Sequence, residues 1–394
     1  MALNQVGLER LNTATTKKIG QSKNLIINGA MQVAQRQTSE TGVAANGYST
    51  VDRIQLQQNG TDAYPGTAQG TVASGTTPYT NGFRKTFKVT NGNQSSAGAA
   101  DELAIRYSIE AQDVANSGWN YTSSSSNVTL SFWVKSSVAQ NFYGYLLTLD
   151  GTMQRYAFET GSLSADTWTK VTKTIPGNSN ITIDNNNGEG FRVEWRLFSG
   201  TDFTDSGVSL NTWAAFASGT RTPDYGSAMD DWYLTNNATF EITGVQLEIG
   251  SVATDFEHLS FADDLRKCQR YYYTAWKGSG NGDFVTGSDT QTACEIGSYS
   301  SSEVYFVPIF PVLMRDAPTL KQANVSGGLT VHRNAGTKTI DQGGWNAIIQ
   351  AGKQAARVYC QTGSNRLSGN VSSGEPYPLK MTAAGVYMAF DAEL

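Results

Sequence analysis

Strict alternation of apolar and polar residues, broken at short intervals by turn dipeptides, limits this chain to β-structure. Val128, Leu130, Phe132 and Val134 fall on one side of a strand, and Thr129, Ser131, Trp133 and Lys135 on the other. The same period places Phe191, Val193, Trp195 and Leu197 opposite Arg192, Glu194, Arg196 and Phe198. A period of two fits a strand with one buried face and does not fit a helix. Asn81-Gly82, Asn91-Gly92, Asp150-Gly151, Pro176-Gly177 and Asn187-Gly188 punctuate such runs with the backbone freedom or fixed φ that tight turns need. Residues 24–258 therefore read as an antiparallel two-sheet sandwich that starts with a strand at Asn24–Ile27. The strands are many and their connections long, which favours a jelly roll over an immunoglobulin topology.

The stretch from Gly244 to Tyr273 closes this region and opens another. Val245, Leu247 and Ile249 alternate as in a strand. Phe261, Leu265 and Cys268 then fall at helical spacing after Ser260, with Asp263 and Asp264 near the positive end. Three tyrosines return the chain to strand. The prediction is a short helix over 259–270 joining the jelly roll to a second, smaller β-sandwich over 271–394. Forty glycines and few prolines in 394 residues suit the all-β class. Residues 1–23 differ: Leu3, Val6 and Leu11 could line one face of a short helix, followed by a polar run without periodicity.

Four segments resemble a family of bacteriophage virion proteins, the tail fibre, receptor-binding and minor structural proteins. They are NLIINGAMQVAQR at 24–36, YSTVDRI at 48–54, the junction at 244–273 and FPVLMRDAPTL at 310–320. Ile54 stands where the family favours Trp, and Leu259 where it favours Arg. The first sandwich also resembles carbohydrate-binding modules at the level of strand order. The resemblance implies a non-enzymatic virion protein, a tail fibre that attaches to the host through a surface glycan or receptor. It implies an N-terminal arm over 1–23 docking other virion proteins through Leu3, Val6 and Leu11, and a homotrimer. Head decoration on the capsid is the first alternative, and a polysaccharide depolymerase the second.

Charge and cysteine usage narrow the partners. A net charge of −5 with scattered Lys and Arg excludes the basic stripe of a nucleic-acid binder. The longest apolar run, Tyr305 to Met314, is cut by Pro308 and Pro311 and is too short to span a bilayer. Cys268, Cys294 and Cys360 share neither metal-ligand spacing nor a disulfide framework, as expected for buried thiols in a protein assembled in the host cytoplasm. No signal-peptide pattern opens the sequence, which fits release by lysis.

Chemistry-bearing patterns are sparse. The two histidines, His258 and His332, fall in different regions, and His258 is expected to serve as a hydrogen-bonding group. Asp230-Asp231 and Asp263-Asp264 are adjacent carboxylates, which on a strand would point to opposite faces and not converge on a glycosidic bond. Asp184 to Gly188 opens like a calcium loop, but Trp195 stands where an EF-hand needs an acid, so a turn is expected and no metal or cofactor is called for. Sugar binding would use aromatic faces: Trp119, Tyr121, Trp133, Tyr143, Tyr145 and Trp213 in the first sandwich. Tyr225 and Trp232 join them there, and Trp276, Tyr299 and Tyr305 in the second. Trp133 leads, because the opposite face of its strand already supplies the core.

Overall fold

In the strand Asn127–Ser136 the alternation becomes geometry: Val128, Leu130, Phe132 and Val134 are fully buried, while Trp133 and Lys135 on the other face are half-buried. The computed structural model describes residues 23–224, 230–277, 291–323, 329–333, 336–340, 345, 347–362, 367–381 and 386–394. It divides into two compact units, Met1–Ser260 and Phe261–Leu394. The expected arm with Leu3, Val6 and Leu11 lies outside the described residues, as does Tyr225.

The first unit pairs a six-stranded with a seven-stranded antiparallel sheet. The six-stranded sheet runs Ser39–Glu40, Gly66–Thr71, Lys85–Thr90, Thr239–Ile249, Asn127–Ser136, Thr169–Pro176. The seven-stranded sheet runs Trp213–Ala215, Gln154–Ser162, Asn141–Thr148, Glu189–Ser199, Glu102–Glu110, Ile54–Asn59, Gly47–Tyr48. Their inner faces meet through aromatic side chains. Phe132 of the first stands edge-on to Trp195 of the second at 5.6 Å, and Phe240 meets Phe142 at 4.9 Å. Such offset contacts add to what burial of the rings contributes. Phe198 departs from its expected polar face. A register shift between Arg196 and Phe198 turns both Leu197 and Phe198 inward, and Phe198 stacks on Tyr233 at 4.0 Å.

Asn24–Ile27 is not a strand; side chains hold it instead. Asn24 accepts from the amides of Ile26 and Leu247 and donates to the Val245 carbonyl. Asn28 accepts from Val33 N–H and donates to the carbonyls of Val33 and Asp52. Gly29 lies so close to the strand Thr239–Ile249 that a Cβ there would sit 2.1 Å from the Val245 carbonyl oxygen. Gly29→Ala must therefore push this segment off its strand. Overpacking of this kind costs about 1–3 kcal/mol, expected as a lower urea midpoint for the full chain.

The second unit contains a three-stranded sheet, Tyr272–Lys277, Tyr387–Asp391, Thr319–Ala323. Its seven-stranded sheet runs Gly336–Ile340, Leu329–Arg333, Pro376–Met381, Gln291–Ser300, Glu303–Phe306, Ala356–Gln361, Ala347–Ala351. The described strand pairings of these two sheets are antiparallel, and Trp276, Val304, Val358, Leu379, Met388 and Phe390 lie in the core. The helix Phe261–Gln269 belongs to this unit. Its acids occupy the first turn and Arg266 and Lys267 the last, as the helix dipole favours. The buried stripe is Asp264 and Cys268; Phe261, expected inside, is 59% exposed.

Candidate functional site

The outer face of the six-stranded sheet carries an aromatic cleft. Trp133 pairs across the sheet with Lys170 on one side and Thr243 on the other. Its half-exposed ring stands in a cleft of about 370 Å³ with Phe83 and Phe256 as further aromatic lining. Asn81, Lys170, Asp255 and His258 add polar groups, and Lys170 and Asp255 are exposed. His258 is fixed by Phe83 and Phe256, with ring centroids at 5.1 and 4.9 Å, and its Nε2 lies 2.9 Å from the Asn81 carbonyl. A carbonyl only accepts, so Nε2 carries the proton, and the histidine acts as the hydrogen-bonding group expected of it. On the same sheet face Lys135 sits 5.2 Å from the Trp168 ring and 2.9 Å from Glu241. Trp168 is half-exposed and escaped the sequence reading. The signal was present: Trp168 and Lys170 alternate as Trp133 and Lys135 do.

The other predicted aromatics are dispersed. Trp119, Trp213 and Trp232 are buried, and each spends its indole N–H on a backbone carbonyl: Ser126, Pro176 and Thr239 respectively. Trp276 is buried in the core of the second unit against Phe306. A ring packed on all sides has no face left for a sugar. Tyr121 is half-buried, edge-on to Trp119. Tyr143 is half-buried on the other sheet, where burial and then the Glu159 charge raise its pKa. The adjacent acids sit in helices: Asp263 and Asp264 in the first turn of the expected one, Phe261–Gln269, and Asp230 and Asp231 at the start of Asp230–Leu234. Burial and then the Asp231 charge raise the Asp230 carboxyl. Among the described residues no group of three His, Cys, Asp or Glu could hold a metal ion, and no helix is long and apolar enough to cross a membrane.

The outer face of the seven-stranded sheet is filled by its own charges. Arg196 is fully buried and donates to Glu194, Glu102 and Ser199, each at 2.7 Å. Glu194, also fully buried, takes a further bond from Arg106 at 3.0 Å. Burial alone would raise the Glu194 carboxyl, but Arg196, Arg106 and Arg192, with a hydrogen bond from Tyr145, hold it down at about 2. Arg221, from the segment after Glu189–Ser199, closes onto Glu102, and Phe216 lies 6.2 Å from Tyr145. Tyr145, an outward residue by alternation, is thereby buried; desolvation and then Glu194 push its hydroxyl well up. Arg155 pairs with no described carboxylate, and burial lowers its pKa. This face is a closed ionic lattice, whereas the Trp133 cleft on the other sheet is open.

No protein-family model matches the chain, and no curated protein matches it. Among solved structures it is similar to the enzymatically active domain of tailspike protein 4 from bacteriophage CBA120, with 10% identity and a TM-score of 0.29. That match covers 58% of this chain and only 22% of the tailspike chain. It is also similar to a CBM4 structure, at 12% identity and a TM-score of 0.28, over 58% of this chain and 100% of that one. A third is the N-terminal cellulose-binding domain of Cellulomonas fimi β-1,4-glucanase C, at 10% identity and a TM-score of 0.26 over 50% of this chain and 90% of that one. Scores this low establish no common fold, and the all-β architecture rests on the strand pairings themselves.

Proposed function

We propose that the chain is a structural protein of a bacteriophage virion, a tail fibre, whose first unit binds a host-surface glycan in the Trp133 cleft. The observation that carries the glycan reading is the half-exposed Trp133 ring, on a strand whose opposite face is already core, with Lys170, Asn81 and Asp255 in the same cleft. An indole offers a flat apolar surface to the C–H face of a pyranose, and amide, carboxylate and ammonium groups suit its hydroxyls. The virion reading rests on the four segments that resemble phage structural proteins. The arm with Leu3, Val6 and Leu11 would dock the body of the particle, and a homotrimer would turn weak sugar contacts into firm attachment by avidity.

Trp133→Ala should weaken binding to a host-surface oligosaccharide by about 2 kcal/mol, roughly thirtyfold in Kd. Asp255→Ala, at an exposed position, should cost about 1 kcal/mol, with the melting temperature unchanged. Titration calorimetry of the full chain measures both. Unchanged affinity in the folded Trp133→Ala protein would overturn the assignment of the cleft. Electron cryo-microscopy of intact virions tests the tail location: threefold density at the tail supports it, and density on the capsid lattice replaces it with head decoration.

A further inference from the structure

We propose that the second unit carries a separate binding platform for an acidic sugar, built on Arg357 and the tyrosines around it. In the strand Ala356–Gln361, Ala356, Val358 and Cys360 are buried, while Arg357, Tyr359 and Gln361 alternate with them and are half-exposed. On the neighbouring strand Val304 is buried, and Tyr305 pairs directly with Tyr359. One strand further, Gly297 pairs with Tyr305. A Cβ on Gly297 would lie 2.7 Å from the Tyr305 ring, so the missing side chain is what lets this ring lie down over the sheet. The Arg357 guanidinium stands 4.7 Å from the Tyr305 ring centroid and 5.5 Å from that of Tyr299. Tyr299 is itself 67% exposed.

Two observations separate this cluster from ordinary surface packing. The Arg357 side chain makes no hydrogen bond or ion pair with any described residue, and its Nε is covered without a partner. Arg196 in the first unit shows the opposite arrangement, with Nε, Nη1 and Nη2 all engaged. Secondly, Glu303, which opens the strand of Tyr305, already accepts from the Gln361 amide at 2.9 Å. A guanidinium flanked by two rings loses little freedom on binding, and its planar fork matches a carboxylate or a phosphate. The exposed Tyr299 ring beside it offers an apolar face to a sugar. Cation and platform together select a sugar that bears a carboxylate or phosphate over its neutral counterpart.

The test uses the full chain carrying Trp133→Ala, so that the first unit's cleft does not contribute. Calorimetric probes are a neutral gluco-oligosaccharide, the matching oligosaccharide with glucuronic acid units, and one with a phosphorylated glucose. At least one acidic probe should bind ten times or more tightly than the neutral one, and the two acidic arms tell carboxylate from phosphate. Arg357→Gln should abolish that preference, and Arg357→Lys should restore only part of it, since an ammonium keeps the charge without the fork. Tyr299→Ala removes an exposed ring, leaves the melting temperature unchanged and should weaken all acidic binding. Equal binding of neutral and acidic probes, no binding of any, or an unchanged preference in Arg357→Gln would overturn the proposal. None of these outcomes bears on the Trp133 cleft, which the wild-type chain tests separately.

Discussion

Glu194→Ala should lower the stability of the first unit by about 3–5 kcal/mol, the usual cost of removing one partner from a buried ion pair. The reason is what stays behind. Arg196 is fully buried, and without Glu194 it keeps only Glu102 as a carboxylate partner, while Arg106 loses the acceptor of its Nε. Replacing Glu194 and Arg196 together by Leu and Met should recover much of the loss, because apolar residues of similar volume need no partner. The same carboxylate sets an acid limit. Its folded pKa is about 2 against an ordinary 4.5, so its contribution is fully present above pH 4.5 and lost as pH falls towards 2. The shift corresponds to about 3 kcal/mol. Urea titrations at neutral pH and near pH 3, followed by tryptophan fluorescence, should show a smaller acid loss in Glu194→Gln than in the native chain. An acid loss equal to the native one would remove Glu194 as its source.

Asp52→Ala ranks next, at about 3 kcal/mol, since hydrogen bonds to charged groups contribute about 1.5–3 kcal/mol each and do not simply add. The Asp52 side chain is fully buried. It accepts from the Gln35 amide at 3.0 Å and from the Gln35 side chain at 2.5 Å, with Arg36 at 3.6 Å. Its own backbone ties to Val33 and Asn28. Removing the carboxylate therefore takes the acceptor from two Gln35 donors at a half-buried position. Asp52→Asn keeps one acceptor oxygen and should recover part of the loss. A fall in the urea midpoint no larger than that of a surface substitution would show that the segment 24–36 is held by other means.

Asp52 and Asn28 also mark how far the sequence could be read. The motifs at 24–36 and 48–54 stood out as resemblances, but their work, pinning one segment to the strands beside it, depends on atoms far apart in the chain. Alternation sorted Trp133 from Phe132 because Asn127–Ser136 is itself a regular strand, paired in one unbroken register with Thr169–Pro176; the bulge beside it lies on the partner strand Thr239–Ile249. It misplaced Phe198, where a bulge turns two consecutive residues inward, a shift that only the partner strand reveals. It left Tyr145 outside, whereas the segment bearing Phe216 and Arg221 covers its face. Trp119 and Trp232 lie outside regular strands, where burial follows from tertiary cover rather than from any local period. Asp230-Asp231 shows the same limit in secondary structure: a single helical turn interrupts a loop-like stretch and leaves too short a period to detect.

The ends of the described part of the first unit, residues 23–29 and 245–257, meet. Leu25 donates to the Leu247 carbonyl, Val245 donates to that of Gly29, and Asn24 N–H reaches the Glu257 carboxylate at 2.9 Å. Lys23 reaches Thr254 at 2.6 Å. Residues 23–29 and 254–257 thus lie together beside the second half of the strand Thr239–Ile249. A tensile load applied between residues 23 and 258 falls on this small clasp of side chains and amides, and the two sheets hang beside the line of force, unstretched for as long as the clasp holds.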